Sequence, residues 1–373
     1  MDALMLPLNW QKVKLGDIGK PCMCKRVMKH QTTPYGEIPF YKIGTFGNTA
    51  DAFISKKLFL EYKTKYSFPK KGDILISASG TIGRAVIYDG KPAYFQDSNI
   101  VWIDNDETLV KNDFLFYAYS NIKWNTEHTT ILRLYNDNFR NTLIPLPPLN
   151  EQSAIANILS TLDRYLYSLD ALILKKEGVK KALSFELLSQ RKRLKGFNQN
   201  WQRVRIGDIA NYLTSNLSAE QITQQGKIKV YDVNNFIGYT DTTFISDKPY
   251  ISIVKDGSVG RVRILPPKTN ILSTMGALIA NHKTTTEFLF YLLSNFDFKN
   301  FTSGSIIPHI YFKDYKEKTI FLPPLNEQIA IANVLSALDN EIISLKNKKR
   351  QFENIKKALN HDLMSAKIKV LNK

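Results

Sequence analysis

The sequence predicts an α+β protein: two mixed α/β globular domains separated by two long helices packed as an antiparallel coiled coil, the whole a pseudo-twofold tandem repeat. Three observations carry that expectation. The segment "LPPLNEQSAIANILSTLD" (146–163) returns as "LPPLNEQIAIANVLSALD" (322–339), with three differences in eighteen positions. A Trp-led segment also returns, "WQKVKLGDI" (10–18) as "WQRVRIGDI" (201–209). After each Pro-Pro pair, apolar residues recur at three- and four-residue steps for several turns, the period of a helix with one buried face.

The remaining motifs fall in the same order in each half. "SGTIGR" (79–84) has a looser echo in "DGSVGR" (256–261), and "DFLFYAYSN" (113–121) returns as "EFLFYLLSN" (287–295). The organisation read from this is a first globular domain at 1–146, a first spacer helix at 147–195, a second globular domain at 196–321 and a second helix at 322–373. Runs such as "DILIS", "RAVIYDG" and "NIVWID", bounded by turn residues, predict mostly strands in the globular parts. Phe114, Leu115, Tyr117 and Ala118, mirrored by Phe288, Leu289, Tyr291 and Leu292, read as the core face of one short helix.

Proline lacks the amide and the space a helix interior demands, so the long helices must start after Pro147-Pro148 and Pro323-Pro324, with Asn150 and Asn326 placed to cap them. The apolar seam runs Ile155, Leu159, Leu162, Leu166, Leu169, Ile173, Val179, Leu183, Leu187; in the second copy Ile331, Leu335, Leu338, Ile342, Leu345, Phe352, Ile355, Leu359, Leu363. Such a seam wants a partner helix, and the obvious partner is its duplicate. About 40 residues at 1.5 Å rise make a rod of roughly 60 Å.

A chain of 373 residues is long enough for two or three domains, and 51 basic against 34 acidic side chains leave +17. That excess points to a polyanionic partner, nucleic acid before membrane. No run approaches the ~18 apolar residues of a membrane span, and "MDALMLPLNW" lacks the basic and apolar regions of a signal peptide. Cys22 and Cys24 are too close for an ordinary disulfide; they read as buried or bystander thiols in a reducing, cytoplasmic compartment.

Motifs for chemistry are missing. The Pro-Pro pairs are followed by Leu149, Lys268 and Leu325, not by the aromatic residue of an adenine-methylating site, and no GxxxxGK[ST] phosphate loop occurs. The five histidines show no ligand spacing, so no catalytic and no metal site is assigned. "GTFGN" (44–48) reads as a turn, and "KDYKEK" (313–318) as a charged segment without the upstream Asp a nuclease needs.

For nucleic acid, phosphate contacts are expected from Lys25, Arg26 and Lys29 in the first domain and from Arg261 and Arg263 in the second. Base readers are expected on the two Gly-rich turns, which project Arg84 and Arg261, and on the segments before each Pro-Pro pair, which supply Arg133, Tyr135 and Asn136, then His309, Tyr311 and Lys313. The lysines and arginines crowding the ends of the long helices read as solubilising flanks of a coiled coil, with cover over DNA as the competing reading.

With these motifs in hand, the chain resembles the specificity subunits of type I restriction-modification systems. The Pro-Pro-Leu-Asn-Glu-Gln helix heads, the Trp-led segments and the "SGTIGRA" turn carry the likeness, over residues 10 to about 370. The resemblance implies a chain with no catalytic site or cofactor of its own, whose two target-recognition domains each read half of a split double-stranded DNA sequence. It implies two methyltransferase subunits docked on the repeated helix heads, at Asn150, Glu151, Gln152, Asn326, Glu327 and Gln328. Two restriction subunits would complete the complex, an adenine-specific DNA methyltransferase and ATP-dependent endonuclease whose S-adenosylmethionine, ATP and Mg belong to the partners. A stand-alone DNA-binding protein, repressor or decoy, is the alternative.

Overall fold

A computed structural model describes residues 7–128 and 132–370. The chain divides into two compact units, one of Met1–Leu169 with Lys348–Lys373 and one of Asp170–Asn347, so each long helix contributes its two ends to different units.

In the first unit a four-stranded antiparallel sheet runs in the order Gly19–Met23, Ile100–Asn105, Ile74–Ser77, Ala85–Ile87. A three-stranded sheet sets Ile38–Tyr41 between an antiparallel Phe53–Ile54 and a parallel Tyr94–Phe95. The run "ILIS" is buried throughout because both of its faces are covered. Ile74 and Ile76 enter a core with Val101, Ile103 and the aromatic helix Asn112–Tyr119. Leu75 enters another with Trp102, Phe46 and Tyr94. The second unit repeats the plan: Ala210–Thr214, Met275–Ala280, Tyr250–Val254, Val262–Leu265 in one sheet, and Phe236–Thr240, Ile228–Tyr231, Thr269–Ile271 in the other. Here Ile251 and Ile253 meet the aromatic helix Thr286–Ser294, while Tyr250 and Val254 turn to a smaller core.

The Trp-led segments become strands. Gln11–Lys14 pairs antiparallel with Leu143–Leu146, and Gln202–Arg205 with Thr319–Leu322, which sets each tryptophan beside the head of a long helix. The helices span Leu149–Leu188 and Leu325–Met364. They begin one residue ahead of the expected caps, because the Pro148 and Pro324 carbonyls already accept the first helical bonds, from Gln152 and Gln328 amides at 2.9 and 3.0 Å. Asn150 and Asn326 thus lie within the first turn.

In each unit the head of one long helix lies antiparallel to the tail of the other. In the first unit Lys356 pairs with Asp163, and the Tyr165 and Phe352 rings lie 4.7 Å apart. In the second, Lys176 meets Glu341 at 2.7 Å and Lys180 meets Asp339. The expected seam needs one correction. Val179 and Ile355 are 45% and 50% exposed, and the inward positions beside them are polar: Lys180 and Ser184, Lys356 and Asn360. Lys180 and Lys356 are turned toward an acidic side chain and an aromatic ring, as described below.

Candidate nucleic-acid interface

In the first unit the Gly-rich turn and the segment before Pro147 are brought together, although 48 residues separate Arg133 from Ala85 in the chain. Ser79 and Arg133 form an isolated β-bridge, and the Leu134 amide donates to the Ala78 carbonyl at 2.8 Å. The Asn99 side-chain oxygen accepts from Ser79 Oγ at 2.7 Å and from Arg133 Nη2 at 3.2 Å. Two residues before Asn99, Asp97 holds Arg26 at 2.9 Å, which draws the basic "CKRVMKH" segment to the same edge. Arg84 is exposed, but its Nη1 donates to the Phe46 carbonyl at 3.0 Å, so its partner is a loop backbone rather than a core carboxylate. Tyr135 and Asn136 are exposed. Lys25 lies over the ring of Tyr66 at 5.0 Å, the residue that caps the end of the helix Lys56–Lys65, and Lys29 is exposed in a short 3-10 turn.

The second unit makes the same junction with different side chains. Asp256 bridges His309, the Gly257 amide donates to the Pro308 carbonyl at 2.9 Å, and His309 Nδ1 lies 2.7 Å from Asp256 Oδ1. Tyr311 stacks on His309 at 6.5 Å, and the Lys313 ammonium sits 5.5 Å from the Tyr311 ring. Arg261 donates to Asn234 Oδ1 at 2.9 Å and Arg263 to the Asn234 carbonyl at 2.8 Å, so the turn is tied to the loop after Ile228–Tyr231, as Arg84 ties the first.

The glycines of the two turns serve different purposes. A side chain on Gly80 would meet only Ile43, and one on Gly257 nothing within 4 Å, so these bends are open. At Gly83 and Gly260, both at positive φ, a Cβ would fall 2.0 Å from the Trp124 ring and 2.6 Å from the Phe298 ring. The second glycine of each motif therefore admits an aromatic anchor of the same domain, not an approaching ligand backbone.

The helix heads were expected to dock partners; of the six residues named for that, Gln152, Glu327 and Gln328 are buried and Glu151 is half-buried. Glu151 accepts from Trp10 Nε1 at 3.1 Å, and Glu327 from Trp201 Nε1 at 3.0 Å. Gln152 accepts from the Lys111 amide and donates to the Leu109 and Pro147 carbonyls, at 2.8 to 3.1 Å. Gln328 accepts from Thr284 and Thr285 and donates to Lys283 and Pro323. Gln152, Glu327 and Gln328 are at most 1% exposed. Their repetition has an internal cause: each glutamine fixes the head of a long helix to the loop that starts the aromatic helix, and Glu327 fixes it to Trp201 and Arg193. Asn150 and Asn326 remain exposed.

A duplicated clasp was not anticipated. Tyr117 donates to Asp163 at 2.7 Å while Lys356 pairs with that carboxylate and lies 5.5 Å from the Tyr117 ring. Tyr291, Asp339 and Lys180 repeat the arrangement, at 2.8 and 5.7 Å. Burial first, and the neighbouring carboxylate second, raise both tyrosine hydroxyls well above their ordinary pKa, so they stay protonated and donate. The signal was present in the sequence: Tyr117 and Tyr291, Asp163 and Asp339, Lys180 and Lys356 occupy matching places in the repeat.

Residues 7–176 and 198–354 each match the type I restriction modification DNA specificity domain. The chain belongs to that family. Among specificity subunits, a putative type I restriction enzyme specificity subunit of Haemophilus influenzae is 64% identical over 148 residues, 39% of this chain but only 38% of that subunit's length. The MjaVIII specificity subunit of Methanocaldococcus jannaschii is 25% identical over an alignment spanning 100% of this chain and 96% of that one. The crystal structure of a type I S subunit from M. genitalium shares the fold, with a TM-score of 0.63 at 20% identity over 96% of this chain and 98% of that one. No helix among the described residues is long and apolar enough to cross a membrane.

Proposed function

We propose that this specificity subunit reads a bipartite double-stranded DNA target, one half per unit, through the junction of the Gly-rich turn with the segment before each Pro-Pro pair. One observation carries the reading: the same segments converge in both units while the side chains they present differ, Ser79, Asn99 and Arg133 against Asp256 and His309. Arg133, Tyr135 and Asn136 read one half, and His309, Tyr311 and Lys313 the other. Arg26, Arg84, Arg261 and Arg263 hold phosphates or shape the loops, with Lys25 and Lys29 adding positive charge.

In this reading the chain performs no chemistry. Two methyltransferase subunits supply adenine methylation with S-adenosylmethionine, and two restriction subunits supply ATP- and Mg-dependent cleavage, in the cytoplasm. Docking falls on the repeated outward residues of the helix heads, Leu149, Asn150, Leu325 and Asn326, where both leucines are at least 40% exposed. The two 40-residue helices set the gap between the half-sites.

The test is reconstitution with the methyltransferase subunits, followed by mapping of methylated adenines across a genome. One split sequence with a fixed gap is expected, and the chain alone should transfer no methyl groups. Methyl transfer by the chain alone, or methylation at a contiguous unsplit site, would overturn the reading.

A further inference from the structure

The loop between Thr302–Ser303 and His309–Ile310 carries two adjacent isoleucines in the solvent: Ile306 is 92% exposed and Ile307 55%. A five-residue hairpin loop in water ordinarily carries polar residues, and single exposed aliphatics need no explanation, but these two stand together at a tip. The tip is also built. Gly304 sits at φ +90°, and a side chain there would fall 2.3 Å from the Ile307 carbonyl, so the loop closes only around glycine. Its base is pinned to the Gly-rich turn by the Gly257 amide on the Pro308 carbonyl and by His309 on Asp256. Half-exposed Tyr311 and exposed Lys313 follow directly, and Arg261 projects from the same turn.

We infer that Ile306 and Ile307 are specificity-determining residues that read the 5-methyl group of thymine in the half-site of the second unit. The methyl is the one apolar feature a base pair shows in the major groove, and an aliphatic side chain on a loop rooted among cationic groups is its complement. Positive charge on the same surface, in a chain of net charge +17, favours DNA over an apolar protein face as the occupant. The inference rests on the DNA-reading function proposed above, and it requires at least one thymine in that half-site.

The experiment uses the full chain assembled with its methyltransferase subunits and duplexes carrying the mapped target. Each thymine of the target is replaced in turn by deoxyuridine, which removes the methyl and leaves base pairing intact. Loss of one buried methyl is worth roughly a fourfold rise in Kd. At one or two positions in the second unit's half-site the wild-type complex should show that rise, and the Ile306→Ser/Ile307→Ser complex should show none. Deoxyuridine in the other half-site should act alike on both proteins. The inference fails if no position in the half-site responds in wild type, if the variant weakens binding equally on every sequence, or if it sheds methyltransferase subunits on size-exclusion chromatography. The wild-type deoxyuridine series stands by itself should the variant fold poorly. Failure of the underlying function looks different: the wild-type complex would not prefer the mapped target to a scrambled duplex.

Discussion

The two units are alike in the polar bonds that tie the long helices to each unit, and unlike in the polar side chains at the junction of the Gly-rich turn. Each holds a tryptophan on a glutamate, a glutamine on the loop of the aromatic helix, and a tyrosine, aspartate and lysine in one clasp. A buried polar group has to be satisfied by partners of fixed geometry, so changing any member strands the others. At the junction the same backbone bridge carries buried Ser79 and half-exposed Arg133 in one unit and half-exposed Asp256 and His309 in the other. Identity between halves of this chain therefore marks internal bonding, and divergence marks the junction proposed to read DNA.

The largest effect should come from the glutamines. Gln152→Leu or Gln328→Leu leaves several buried backbone groups without partners, and each should destabilise its own unit by about 3 kcal/mol. Hydrogen exchange resolved to peptides is the measurement, with loss of protection around the aromatic helix of the altered unit. If exchange in the altered unit stayed unchanged, the internal account of the repeated head would be wrong.

The glutamates should break the likeness. Glu327 accepts from Arg193 Nε and Nη2 at 3.0 and 2.6 Å as well as from Trp201, and it is fully buried. Glu151 is half-buried and, among the described residues, is held by Trp10. Removing Glu327 strands a buried indole N–H together with a guanidinium, whereas Glu151 leaves an indole close to water. Glu327→Ala should cost about 2 kcal/mol and Glu151→Ala about 1 kcal/mol in urea unfolding followed by the same exchange readout. Equal losses would mean that Arg193 contributes nothing beyond what solvent supplies.

These internal bonds explain what could be read in the sequence and what could not. The two-copy plan, the alternating strands and the aromatic helices were legible because burial imposes periods of 2 and 3.6 on apolar residues. Leu75 and Trp102 against Ile74 and Ile76 is that period realised on two faces of one sheet. The internal bonds of Gln152 were not legible because a repeated polar residue looks alike whether it faces a partner or a loop about 40 residues away in its own chain. Val179 and Ile355 were misplaced because the helical period alone does not say that Lys180 and Lys356 have an aspartate to meet. The convergence of Ser79 with Arg133 was likewise out of reach, since it depends on a β-bridge that no local pattern encodes.

On the reading surface the two units should separate cleanly. Arg133→Ala and His309→Ala each remove a half-exposed side chain at the junction, so neither should shift the unfolding midpoint appreciably. Each should relax discrimination about tenfold at one or two base pairs of its own half-site and leave the other half unchanged, as scored by methylation of target libraries randomised in one half at a time. Relaxation of both halves by a single substitution would mean that the junction transmits structure rather than reading bases.

The smallest effect tests whether the two clasps are energetically as well as geometrically equivalent. Asp163 and Lys356 are 37% and 26% exposed in their side chains, and Asp339 and Lys180 are 29% each. Solvent reaches both pairs, so the coupling in a double-mutant cycle of Lys356→Met with Asp163→Asn should be only about 0.5–1 kcal/mol, with the same value for Lys180→Met with Asp339→Asn. Because these are partly exposed charges, the coupling should shrink in 1 M salt, where screening acts within about 3 Å, while the cost of the buried Gln152 and Gln328 substitutions should not. The cations lying over Tyr117 and Tyr291 add a part that methionine cannot mimic, so Tyr117→Leu and Tyr291→Leu should each lower the measured coupling by a few tenths of a kcal/mol. Coupling that survives high salt in one unit and not in the other would show that the clasps share a shape but not a physical basis.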